Sequence, residues 1–196
     1  MVTSCVIFVS DGMFGIADDA EEPADTACWA VGLAAPMEYG AWVSTGIHTG
    51  RVEVGAEVVA TAPPAQTTTW EEVVEISVRS IEGDLRIISA HDATPTDLPA
   101  LNPQGPGWYR IRVHARGRAT YADGTNEAPT EHYLITAWPQ APTAPVVLRT
   151  SDMIEETRLA HADDPSWEAL TRPEQQPAQK PMTAERENLL RHLKRR

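Results

Sequence analysis

Cysteine is almost missing from this chain: Cys5 and Cys28 are the only two in 196 residues. No C-x-x-C pair or Cys/His cluster accompanies them, which excludes a disulfide framework and a local zinc motif. Long apolar runs are also lacking. None approaches the roughly 18–20 residues that a membrane-spanning helix needs, and the short N-terminal run Val6-Ile7-Phe8-Val9 has no cationic segment before it, unlike a signal peptide. The cytoplasm is therefore the expected compartment. Cations are scarce as well, with 16 Lys and Arg against 28 Asp and Glu, for a net charge of -12. A body of that sign repels nucleic acid and anionic membranes, so neither is an expected partner, and a basic protein is. The sequence has no nucleophile elbow, phosphate loop or dinucleotide fingerprint, and no EF-hand spacing in its acidic stretches. No catalytic residue, cofactor or metal is expected.

What is present is punctuation. Sixteen prolines and twelve glycines divide the chain into many short elements. Residues 5–10 are a β-branched apolar run ending at Asp11-Gly12, and residues 13–16 resume as a strand, which reads as a hairpin-like start. Between residues 41 and 60 the pattern is strand, a turn at Thr49-Gly50, then strand, with Gly55 as a possible bulge. Val74, Ile76 and Val78 alternate with polar residues, and Glu82-Gly83-Asp84 predicts a tight hairpin to residues 85–89. Residues 108–116 and 131–138 alternate again and should pair antiparallel, and residues 146–150 read as a final edge strand. Seven or more short strands without intervening helices predict an all-β antiparallel β-sandwich over residues 1–150. Residues 151–181 read as an acidic, proline-rich linker with room for a short helix. Residues 182–196 read as a basic helix or tail.

The charges are laid out unevenly. Residues 185–196 carry five cations against two acids, leaving -15 on the rest of the chain. Within that acidic body the segment Trp108-Tyr109-Arg110-Ile111-Arg112-Val113-His114 places Tyr109, Ile111 and Val113 on one face of a strand and Arg110, Arg112 and His114 on the other. The cationic face has three readings: an anion-binding site, as in a small-molecule sensor, a contact for an acidic partner, or internal pairing with acids such as Glu75 and Glu131. The acidic loop with Asp18, Asp19, Glu21 and Glu22, and the later stretch with Asp152, Glu155 and Glu156, are candidate contacts for a basic partner. His114 and His132 would approach each other if the last strands pair, with His48 or His91 joining, as in a metal enzyme on a jelly-roll scaffold. A zinc site requires three or four such ligands. His91-Asp92 is a weak general-base pair, and Trp42, Trp108 and Trp138 are either core packing or an aromatic shelf.

Three segments together resemble a known family. Ser10-Asp11-Gly12-Met13-Phe14-Gly15-Ile16-Ala17-Asp18, then Pro106-Gly107-Trp108-Tyr109-Arg110-Ile111-Arg112-Val113, then the strand from Glu131 to Pro139 are similar to the competence protein J family, small intracellular β-rich proteins typified by an inhibitor of a DNA-entry nuclease. The resemblance runs in order over residues 10–150. It implies a non-enzymatic, partner-binding β-sandwich of nuclease-inhibitor or toxin-immunity type. The extension beyond Ser151 and the cationic strand depart from the family pattern.

Overall fold

The computed structural model describes residues 1–18, 23–89, 95 and 97–171. Asp19, Glu21, Glu22, the His91-Asp92 pair and the basic tail at 182–196 lie outside them. The described chain is β-rich, with strands β1 (Thr3–Val9), β2 (Met13–Ala17), β3 (Ala34–Pro36), β4 (Ala41–Ser44), β5 (Thr49–Val58), β6 (Glu72–Ser80), β7 (Arg86–Ile88), β8 (Gly107–Arg116), β9 (Thr125–Asn126), β10 (His132–Pro139) and β11 (Val146–Arg149), then helices α1 (Asp152–Ala160) and α2 (Trp167–Leu170). Among the described residues no helix is long and apolar enough to cross a membrane.

The strands form two sheets. The larger has the order β1-β5-β10-β8-β6-β11 with β9 beside β5, and the smaller has the order β3-β4-β2-β7. Strands β8 and β10 pair antiparallel in the expected way, Ile135 opposite Val113 and Trp138 opposite Arg110. Strand β11 lies at the edge against β6. One expectation is modified at the sheet's centre, where β10 runs parallel to β5, so the larger sheet is mixed rather than purely antiparallel.

Period-two patterning builds the core. Val52 and Val54 on β5, Ile135 on β10, Ile111 and Val113 on β8, and Val74 and Ile76 on β6 are fully buried, facing Phe14, Ile16, Val43 and Ile87 of the smaller sheet. Phe14 and Tyr133 meet edge to face across the layers, with ring centres 5.3 Å apart. Burying one such side chain contributes roughly 1.5–3 kcal/mol.

The two sequence-expected hairpins are corrected. Strand β1 pairs with β5 while β2 pairs with β4 and β7 in the other sheet, so Asp11 and Gly12, both at positive φ, turn the chain from one sheet into the other. The same occurs after β6. The Asp18 carboxylate accepts from the N–H groups of Ile81 and Glu82 at 2.5 and 2.9 Å, and Asn102 Oδ1 accepts from Leu85 N–H at 2.8 Å. Those anchors turn β7 away from β6 and onto β2. Thr49 and Gly50 begin β5 rather than forming a turn, and Gly55 keeps unbroken register opposite Ser4 without a bulge.

Candidate functional site

The outer face of β8 carries Arg110, Arg112 and His114, and each is at most 4% exposed. Two loops close over them. Arg110 gives Nε to Glu75 at 3.2 Å, Nη1 to Ser77 Oγ and the Thr143 carbonyl, and Nη2 to the Ala144 carbonyl. Arg112 gives Nε to Glu75 at 2.8 Å and its two terminal nitrogens to the carbonyls of Pro64 and Pro63, with its guanidinium 5.2 Å from the centre of the Trp138 ring. Every guanidinium nitrogen thus has an internal acceptor. Burial pushes the Arg110 pKa down, and Glu75 works against that shift. The geometry is that of internal pairing, but Glu131 takes no part in it. Glu131 is on the opposite face of the sheet, fully buried, accepting from Gly46 and Ile47 N–H at 2.9 and 2.6 Å and from the Tyr133 hydroxyl. Burial holds the Tyr133 hydroxyl well above its ordinary pKa, with Glu131 reinforcing the shift, which keeps it protonated and a donor.

Beside that cluster Arg118 bonds Glu72 at 2.7 Å, both nearly inaccessible. Glu72 also accepts from Ser151 Oγ. Ser151 in turn caps α1, accepting from Ile154 N–H at 3.2 Å. Sequence reasoning missed this network, although its signal is present. Glu72 continues the inward parity of Val74, Ile76 and Val78, and Glu131 that of Tyr133, Ile135 and Ala137.

The acids proposed as partner contacts separate. Asp18 is 8% exposed, and its carboxylate is occupied by Ser80, Ile81 and Glu82, so it holds a turn together and is no surface contact. Asp152, Glu155 and Glu156 stand exposed on α1, and Glu155 bonds Arg158 and Thr150. The segment 151–171, read from sequence as the start of a linker, is seated on the sandwich. Ile154 is fully buried in the main core, Trp29 stacks on His161 with ring centres 5.3 Å apart, and Trp167 meets Trp108 edge to face at 6.3 Å. A cleft of about 470 Å³ lies along this contact, lined among others by Trp29, Trp167, Glu155, Asp164 and Glu168. It also includes Cys28, whose thiol burial pushes above its ordinary pKa. Gly32 makes the approach possible, since a Cβ there would lie 2.4 Å from the Ile154 carbonyl oxygen.

The histidines do not converge. In the β8–β10 register His114 is opposite Leu134, and His132 is opposite Arg116. His132 pairs with Glu53 at 2.9 Å, and His48 contacts Thr49 and Asp11. Among the described residues no group of three or more His, Cys, Asp or Glu is placed to hold a metal. The tryptophans form no single shelf either, because Trp138 is buried on the larger sheet while Trp42 packs in a separate small cluster with Trp29 and Met37.

No protein-family model matches the chain, and no curated protein matches it. Two solved structures are similar to this chain. One is described as crocagin biosynthetic gene J, with 17% identity, a TM-score of 0.42, and 72% of this chain and 98% of that one covered. The other is ComJ from Bacillus subtilis, inhibitor of the DNA-degrading activity of NucA, with 12% identity, a TM-score of 0.47, and 71% and 99% covered.

Proposed function

We propose that this protein is a non-enzymatic binding protein that occludes a basic surface on another protein, in the manner of a nuclease inhibitor or a toxin-immunity protein. The observation that carries the reading is the segment 151–171. It holds six acids, Asp152, Glu155, Glu156, Asp163, Asp164 and Glu168, against the single cation Arg158. Its placement is fixed by a buried isoleucine, a capped helix start and two aromatic contacts. A charged surface on a fixed scaffold steers association and fixes register without paying to order a loop. Asp19, Glu21 and Glu22 stay in the proposal as partner contacts on their charge alone, and Asp18 is withdrawn because it is buried. The sequence resemblance to the competence protein J family selects a nuclease as the first partner class to try.

The test is inhibition of purified basic nucleases, assayed by DNA degradation with and without the protein. Stoichiometric inhibition that weakens with rising salt is expected, together with an association rate at least tenfold lower for a D152K/E156K/D163K variant at low salt. A reversed-charge variant with full affinity for an inhibited nuclease defeats the proposal.

A further inference from the structure

The cleft of about 470 Å³ beside α1 and α2 has a lining of two kinds. Leu159, which is 77% exposed, and the half-buried Trp167 give it apolar surface, together with Pro145 and Pro165. Glu155, Asp164 and Glu168 give it carboxylates, all on exposed residues, against the single guanidinium of Arg158. Two contacts offset part of that charge: Arg158 bonds Glu155 at 3.0 Å, and His161 bonds Asp164 at 2.7 Å. Glu168 makes no hydrogen bond or ion pair among the described residues. Three carboxylates against one guanidinium leave the lining at -2 with His161 neutral. Burial pushes the Cys28 thiol in the same lining above its ordinary pKa, and Glu168 and Asp164 add to the shift, so their field reaches the wall. An occupant that buries Leu159 and Trp167 while meeting Asp164 and Glu168 has to be apolar on one side and cationic on the other.

This chain carries such a segment. Residues 183–196 contain Leu189, Leu190 and Leu193 at helical spacing, with five cations against two acids, a net +3 to set against the lining's -2. Position favours it too. Thr171 N–H closes onto the Trp167 carbonyl at 3.1 Å, so residues 172–182 are an eleven-residue tether that starts beside the cleft wall. A tether of that length spans roughly 18 Å as a coil and roughly 34 Å as a polyproline helix, well beyond the one helical turn between Thr171 and Trp167. It holds the segment at about millimolar effective concentration, roughly a thousandfold above a partner present at about 1 μM. We propose that residues 183–196 dock in this cleft in cis, their leucines on Leu159 and Trp167 and their cations on Asp164 and Glu168. The docked segment covers part of the acidic surface, a consequence that rests on the partner-binding reading above. With an effective concentration of about 1 mM and an intrinsic Kd of about 0.1 mM, the cleft is covered about ten to one, and a partner binds about tenfold more weakly than to the open surface.

NMR of the full chain tests the docking with no partner present. The probes are the Trp167 indole N–H and the Leu159 methyl resonances, compared between the wild type and an L189S/L193S variant, which removes the apolar stripe at unchanged charge. Both resonances should differ between the two proteins. The synthetic peptide 183–196 should bind the variant saturably and restore the wild-type positions, and should bind the wild type about tenfold more weakly because the cleft is already taken. Adding D164K/E168K to the variant should weaken the peptide at least tenfold. The docking is overturned by identical resonances in the wild type and L189S/L193S, by equal peptide affinity for both, by peptide affinity that D164K/E168K leaves unchanged, or by a wild-type contact that disappears on dilution, which assigns the cleft to the tail of a second copy. Against a nuclease that the protein inhibits, L189S/L193S should bind about tenfold more tightly than the wild type, and equal binding overturns the covering role. Loss of the docking leaves nuclease inhibition intact, and a protein that inhibits no nuclease still reports the docking, so the two failures are distinct.

Discussion

Ser151 performs two tasks with one oxygen, so Ser151→Ala should cost more than a helix cap alone. The hydroxyl accepts from Ile154 N–H and donates to the buried Glu72 carboxylate. Loss of an N-cap serine costs typically about 1 kcal/mol, and loss of a hydrogen bond to a charged group costs about 1.5–3. The expected total is therefore about 3 kcal/mol. Ser166 provides the comparison within the same segment. It caps α2 through Ala169 N–H at 3.3 Å, is exposed, and begins a helix of four residues, so Ser166→Ala should cost under about 1 kcal/mol. Hydrogen exchange of the α1 amides is the direct readout, because it records local release of the segment even when the sandwich stays folded. Ser151→Ala should raise exchange at Glu155 and His161, whose N–H groups close onto Ser151 and Thr157, by about two orders of magnitude, leaving the β8 and β10 amides protected. Equal effects from the two alanines would show that Glu72 receives nothing from Ser151, and would remove the buried tether on which the rigid acidic surface depends.

Three further outcomes follow from the same geometry. Gly32 has φ +68 and a prospective Cβ 2.4 Å from the Ile154 carbonyl, so Gly32→Ala should release α1 and, under the proposed function, weaken inhibition, and an unaltered α1 exchange profile would contradict that. Asp18→Ala strips acceptors from the Ser80 hydroxyl and from two backbone N–H groups. A loss of roughly 2–5 kcal/mol in urea denaturation is expected, and a loss below about 1 would place Asp18 back on the surface. His114 has a folded pKa below its ordinary 6.5, so below about that pH the unfolded chain binds a proton that the folded chain refuses. Stability should therefore fall as pH drops from 6.5 toward 5, by at most about 1.4 kcal/mol per unit for this group. Melting curves of His114→Phe should show a shallower dependence across that window, and identical slopes would refute the assignment.

Strand existence was legible because alternation is local: β6, β8 and β10 each display it, and the β8–β10 pairing follows from two adjacent patterned runs. Which sheet a strand joins was not legible where a side chain from far along the chain decides it. Glu82-Gly83-Asp84 has the chemistry of a hairpin turn, yet Asp18 and Asn102 hold the flanking amides and send β7 to the other sheet. The acids show the same division between local and distant causes. Asp18, Glu72 and Glu131 each occur where an inward-facing parity reaches the end of a strand, after Phe14 and Ile16, before Val74, and before Tyr133. There a carboxylate cannot remain solvated, and it is kept by donors: turn amides for Asp18 and Glu131, and Arg118 with Ser151 for Glu72. Asp152 and Glu156, outside any such parity, stay in water. Parity at strand ends therefore separates acids that build the scaffold from acids available to a partner. By that criterion the proposed partner surface falls on the helical segment after Ser151, while the cations of β8 and the carboxylates inside the sandwich hold that segment's platform together.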